Sequence, residues 1–166
     1  MSEEPTAFLD TLRQTLSADN ALRNAAEERY MDAKREQPVA TVGALFNVLS
    51  AFEVEQHVRE HAAVLLRQCL SKAADDDSIW SRLGEPAQAD LRAKLLQLLQ
   101  AETVQQVRRK VADCIQGLGN GIIDIPSEER PLNTQAWPEL MPSLMTAVVD
   151  GSKDSGFRAD CLWIVK

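Results

Sequence analysis

The stretch Val58-Arg59-Glu60-His61-Ala62-Ala63-Val64-Leu65-Leu66-Arg67 decides the fold. On a 3.6-residue wheel Val58, Ala62, Leu65, Leu66 and Cys69 lie within an arc of about 100°, which Val64 and Leu70 widen. The segment therefore reads as an amphipathic helix with a broad apolar side. It opens on an apolar residue, then Arg, then a small or aliphatic residue three further on. Working outward, the same pattern stands at Leu22-Arg23-x-x-Ala26, Val107-Arg108-x-x-Val111 and Phe157-Arg158-x-x-Cys161. The arginines step by 36, 49 and 50 residues. One arginine on an amphipathic helix means little; four in matching register indicate a repeat.

Each motif helix is preceded by another helical segment. Apolar spacing predicts helices over about 6–16, 20–33, 38–52, 54–72, 86–99, 103–118, 137–149 and from 155 onward to 166. Asp19 suits an N-cap, and Pro38 and Pro86 suit a first helical turn, where the missing N–H is an orphan in any case. A helical hairpin cannot bury its apolar side alone, so hairpins stack. The expectation is an all-α HEAT-repeat solenoid of about four repeats, 6–35, 38–72, 86–118 and 137–166, where such units run at about 40–47 residues. Polar loops around 75–78 and 127–135 account for the longer steps. The motif arginine is expected at the edge of the apolar arc, its stem packed and its head on a neighbouring carboxylate or carbonyl. The chain stops inside its eighth helix, so Phe157, Leu162, Trp163, Ile164 and Val165 are expected to want a further hairpin.

Composition agrees. The 166 residues are 45% hydrophobic and 26% charged but only 5% aromatic, a mixture that suits helices better than strands. The net charge of −7 argues against a general nucleic-acid binder, which needs a basic surface, and fits a basic partner. Cys69, Cys114 and Cys161 show no C-x-x-C spacing and sit in apolar text, so they read as reduced, buried small hydrophobes. MSEEPTAFLD lacks the basic and apolar regions of a signal peptide, and no 18-residue apolar run is present. The expectation is a soluble intracellular protein without membrane insertion.

Three constellations carry some chemistry. His57-Val-Arg-Glu60-His61 reads H-x-x-E-H, the inverted zinc-peptidase pattern, with Glu139 as the available third ligand. It lies inside the repeat register, and the strands of such enzymes are missing, so helix-edge histidines are the preferred reading. Gly117-Leu-Gly119-Asn-Gly121 follows a helix with no Lys-Ser/Thr after it, and reads as a helix C-cap rather than a phosphate loop. Arg108-Arg109-Lys110 reads as a solvated face. No catalytic, cofactor or metal site is assigned.

Leu16-Ser-Ala-Asp19-Asn20-Ala-Leu-Arg23-Asn-Ala-Ala26-Glu27-Glu-Arg-Tyr30 resembles the opening repeat of importin-beta-like receptors, the karyopherin beta family. Arg59-Glu-His-Ala62-Ala-Val-Leu-Leu-Arg67, Val107-Arg-Arg-Lys-Val111-Ala-Asp113 and Trp137-Pro138-Glu139-Leu140 look like its following repeats, most similar to the beta-3, importin-5-type subgroup. Where that family often has a second basic residue after Arg67, this chain has Gln68-Cys69. The resemblance implies a carrier rather than an enzyme: the N-terminal region of a nuclear transport receptor that shuttles between cytoplasm and nucleus. It implies as partners the GTP form of Ran, nucleoporins, and cargo with basic localisation signals.

Positions two and nine after the apolar residue of the motif point away from the core on the wheel. They are Asn24 and Met31, Glu60 and Arg67, and Arg109 and Gln116, expected as a ladder on the inner wall. The resemblance makes that wall the Ran surface, with Arg67 and Arg109 as the foremost contacts. The rival expectations are a HEAT scaffold of another assembly, such as a phosphatase regulatory subunit, and a helical metallohydrolase using His57, Glu60 and His61.

Overall fold

The structure is a computed structural model that describes residues 4–71, 73, 77–123 and 136–165. Among the described residues there are nine α-helices and no strand: α1 (Glu4–Thr15), α2 (Asn20–Glu36), α3 (Pro38–Ser50), α4 (Gln56–Leu70), α5 (Ile79–Leu83), α6 (Glu85–Ala101), α7 (Gln105–Ile122), α8 (Leu140–Val149) and α9 (Ser155–Ile164). The expected loop at 127–135 lies outside the described residues, as do Asp75 and Asp76. No described helix is long and apolar enough to cross a membrane. The chain divides into two compact units, Met1–Leu66 and Arg67–Lys166, with the boundary inside α4.

In the first unit α1 and α2 form a hairpin across residues 16–19. Asp19 caps α2 as expected, its carboxylate accepting from the Ala21 and Leu22 N–H groups at 2.8 and 3.1 Å. Leu12, Ala26 and Tyr30 are buried, together with Val42, Leu45 and Leu49 of α3 and Val58 and Ala62 of α4. Burying such a leucine contributes about 1.5–3 kcal/mol. Helices this short are marginal alone, so this packing is what makes them stable. Pro38 opens α3, which stops at Ser50 rather than Phe52. A groove of about 950 Å³ lies among α1, α2 and α3, lined in part by Phe8, Tyr30, Ala40, Gly43 and Ala44.

The second unit departs from expectation at three places. A short helix, α5, follows the polar stretch: Ser78 accepts from the Ser81 N–H at 3.1 Å, and Trp80 is buried. Its single aromatic anchor gives no periodic signal. The chain then turns into α6 through Gly84, whose φ of 73° favours glycine. Second, α7 does not end at Leu118 but runs to Ile122, so Gly117, Gly119 and Gly121 are helical rather than a cap. A Cβ on Gly121 would come within 3.0 Å of the Ala73 Cβ, so this glycine allows the close approach of residue 73 to α7. Third, α8 starts at Leu140, and Trp137 is a buried anchor ahead of it. The core of this unit is Leu91, Leu95, Val107, Val111, Ile115, Leu118, Trp137, Leu144 and Cys161.

Candidate partner-binding surface

Three of the four motif arginines act as expected. Arg23 Nη1 donates to the Ser17 carbonyl at 3.0 Å, and Arg59 Nε to the Leu49 carbonyl at 2.9 Å. The last four carbonyls of a helix have no intrahelical donor, so Arg59 satisfies an orphan of α3 while its guanidinium lies 5.0 Å from the Phe52 ring centroid. Arg108 instead reaches along the array: its Nε donates to Asp160 Oδ2 at 2.9 Å, and its Nη2 stands 3.5 Å from Asp154 Oδ1. Arg158, the fourth, is exposed.

The residues expected on the open wall divide into two groups. Asn24 and Arg67 are exposed, and Glu60 is half-buried, accepting from Gln56 Nε2 at 2.7 Å. The Arg67 stem crosses Gly117, where an added Cβ would meet its Cγ at 3.5 Å. Arg109 and Gln116 are half-buried and hold α9. Arg109 Nη1 bonds Asp160 Oδ1 at 3.2 Å, and its guanidinium stacks 4.0 Å from the Trp163 ring centroid. Gln116 Nε2 donates to the Trp163 carbonyl at 2.8 Å, and Trp163 Nε1 donates to Asp113 Oδ1 at 3.1 Å. Arg108 and Arg109 of the basic run are thus engaged with α9 rather than part of a solvated face. Sequence reasoning missed Asp160 as the partner of Arg108 and Arg109, and Asp113 as that of Trp163; the available signal was Asp160, an acid set between the apolar positions Phe157 and Cys161.

The histidine pair takes separate paths. His57 is exposed, while His61 is half-buried with Nε2 3.0 Å from Thr15 Oγ1. Burial pulls its pKa below the ordinary 6.5, and the Glu27 charge opposes that pull. Among the described residues no group of three His, Cys, Asp or Glu side chains is placed to hold a metal ion. Cys69, Cys114 and Cys161 are buried, as read from the sequence. Burial pushes the Cys114 thiol up to about 12 and the Cys161 thiol up to about 11.

No protein-family model matches the chain. Solved structures do. Kap121p bound to RanGTP is 22% identical over 99% of this chain and 14% of its own, with a TM-score of 0.74. Kap95p in a structure with RanGDP is 18% identical over 99% and 18%, with a TM-score of 0.76. Kap95 in complex with Nup1 is 19% identical over the same shares, also at 0.76. This chain therefore spans less than a fifth of the length of these neighbours. In fold it is similar to these karyopherins, a helical HEAT-repeat solenoid.

Proposed function

We propose that the chain is the RanGTP-binding region of a nuclear transport receptor, built of about four HEAT repeats over 6–35, 38–72, 86–118 and 137–166. The observation that carries this reading is the fold shared along 99% of the chain with Kap121p and Kap95p, which have been solved with Ran. The inner-helix motif, the exposed Asn24 and Arg67 and the half-buried Glu60 support it. Arg67 is the foremost contact. It is an exposed guanidinium whose stem is fixed against α7, so little entropy is lost when it pairs with a carboxylate. Arg109 and Gln116 hold α9, which changes their role from the one read on the wheel. Nucleoporins and basic-signal cargo are the further partners of the whole receptor, which shuttles between cytoplasm and nucleus. It is a carrier with no catalytic step.

The test is a titration with Ran loaded with a non-hydrolysable GTP analogue or with GDP. Binding is expected for the GTP form, weakened about tenfold or more by Arg67→Glu, since a lost charge pair at an interface costs 2 kcal/mol or more when central. Arg109→Glu is a poor probe, because it sets a second carboxylate beside buried Asp160. Equal affinity for both nucleotide forms, or none, would favour a HEAT scaffold of another assembly.

A further inference from the structure

The groove of about 950 Å³ in the first unit is open because of what α3 carries along one side. Ala40, Gly43, Ala44, Asn47 and Ala51 all line it, at helical spacing, and four of these five have no side chain beyond Cβ. An added Cβ on Gly43 would meet nothing within 4 Å. Val42, Leu45 and Leu49, on the other side of the same helix, are buried in the core. Beneath the small residues lie Tyr30 and Val48, exposed by 6 and 7%. From Ala40 to Ala51 the apolar stretch runs about 16 Å, three helical turns. Carboxylates stand at both of its ends. Asp32 and Glu36 flank the start of α3 and share Arg35 at 2.6 and 3.9 Å. Glu53, past the end of α3, is exposed and makes no ion pair among the described residues. Arg29 is the one cation among the described lining residues, and the Gln14 side chain holds it.

We propose that this groove receives a partner's amphipathic helix of about three turns, with an apolar stripe along one side and a basic residue at each end. The charge follows from Glu36 and Glu53: a partner with acids there would be repelled at both ends. The helical form follows from the walls. They are helices whose backbone groups bond within themselves, and the Thr11 and Thr41 hydroxyls already donate to the Ala7 and Gln37 carbonyls at 3.0 and 2.9 Å. An extended strand would lay its N–H and C=O groups against walls with little to pair them, whereas a helix pairs its own. The small residues of α3 let such a helix approach closely. A second copy of this chain carries the wrong charge. Its exposed apolar stripe on α8, Met141, Met145 and Val149, is flanked by Glu139 and Asp150.

The probe is the end-capped peptide KKALQALLQALQAKK, which sets its leucines on one side of a helix between paired lysines. Calorimetric titration should show one peptide bound per chain, and circular dichroism should show the peptide gaining helix. The same peptide with glutamates for lysines should bind about tenfold or more weakly. Glu36→Lys combined with Glu53→Lys should reverse that preference; both side chains are exposed, so the fold should be kept. Ala44→Leu, which fills the groove, should abolish binding of the lysine peptide. A version with proline in the middle of the peptide, which breaks its helix, should not bind. No binding of the lysine peptide, equal binding of both charge forms, or a preference that the double variant fails to reverse would overturn the proposal. So would binding of the proline version, which would assign the groove to an extended chain. An original chain that sediments as a dimer and is dispersed by the double variant would also overturn it, by assigning the groove to self-association.

Discussion

Arg108 and Asp160 stand 52 residues apart in the chain and close a buried ion pair between α7 and α9, Nε to Oδ2 at 2.9 Å, with both side chains at most 6% exposed. Arg109 shares the second carboxylate oxygen at 3.2 Å. Removing one partner of a buried pair leaves an uncompensated charge, whereas replacing both by apolar groups of similar size is often neutral. Asp160→Ala should therefore lower stability by about 3–5 kcal/mol. Arg108→Met combined with Asp160→Leu should cost much less. Urea denaturation of the two variants measures the difference, and equal losses would show that shape rather than charge holds α9.

Two helical glycines should respond oppositely to alanine. Gly43 of α3 is exposed, with nothing within 4 Å of an added Cβ, so the methyl group enters the open groove. Gly43→Ala should stabilise by about 0.5–1 kcal/mol, the helix-interior cost of glycine. Gly121 of α7 has the same intrinsic preference, but its Cβ would press on the Ala73 Cβ at 3.0 Å and the Ala73 backbone N at 3.4 Å. Gly121→Ala should gain nothing or destabilise. Thermal melts of both variants check the contrast.

The cysteines should be silent until the chain opens. With burial pushing Cys114 up to about 12 and Cys161 up to about 11, neither holds a useful thiolate fraction near pH 8. A disulfide reagent should label these two thiols slowly in the native protein and promptly in urea. Prompt native labelling of Cys114 would mean that α7 opens locally far more often than its packing implies.

His61 gives stability a defined pH dependence. Burial, the larger cause, depresses its pKa below 6.5; Glu27 on α2 pulls the other way, and Thr15 on α1 is its hydrogen-bond partner. The folded chain then binds this proton less readily than the unfolded chain. The contribution is present above pH 6.5 and is lost as pH falls through the lower folded value. The melting temperature should fall from pH 7 to pH 5 more steeply in the original protein than in His61→Gln, which keeps a partner for Thr15. Parallel pH profiles would assign the acid sensitivity to other groups.

The sequence by itself determined the helical class, the hairpin turn capped by Asp19, the register of Arg23, Arg59, Arg108 and Arg158, and the buried thiols. These are legible because a 3.6-residue apolar period and a capping side chain act within one or two turns of backbone. Other features were decided only when helices met. Arg109 and Gln116 occupy wheel positions that point off α7, yet they are engaged because α9 brings Asp160 and Trp163 over them from about fifty residues away. Gly117, Gly119 and Gly121 read locally as a helix end, yet they lie within α7, and at 121 a side chain would press on residue 73. Arg158 differs from Arg108 in nothing the motif shows. Its exposure depends on which helix lies opposite, and that is a property of tertiary packing rather than of local spacing.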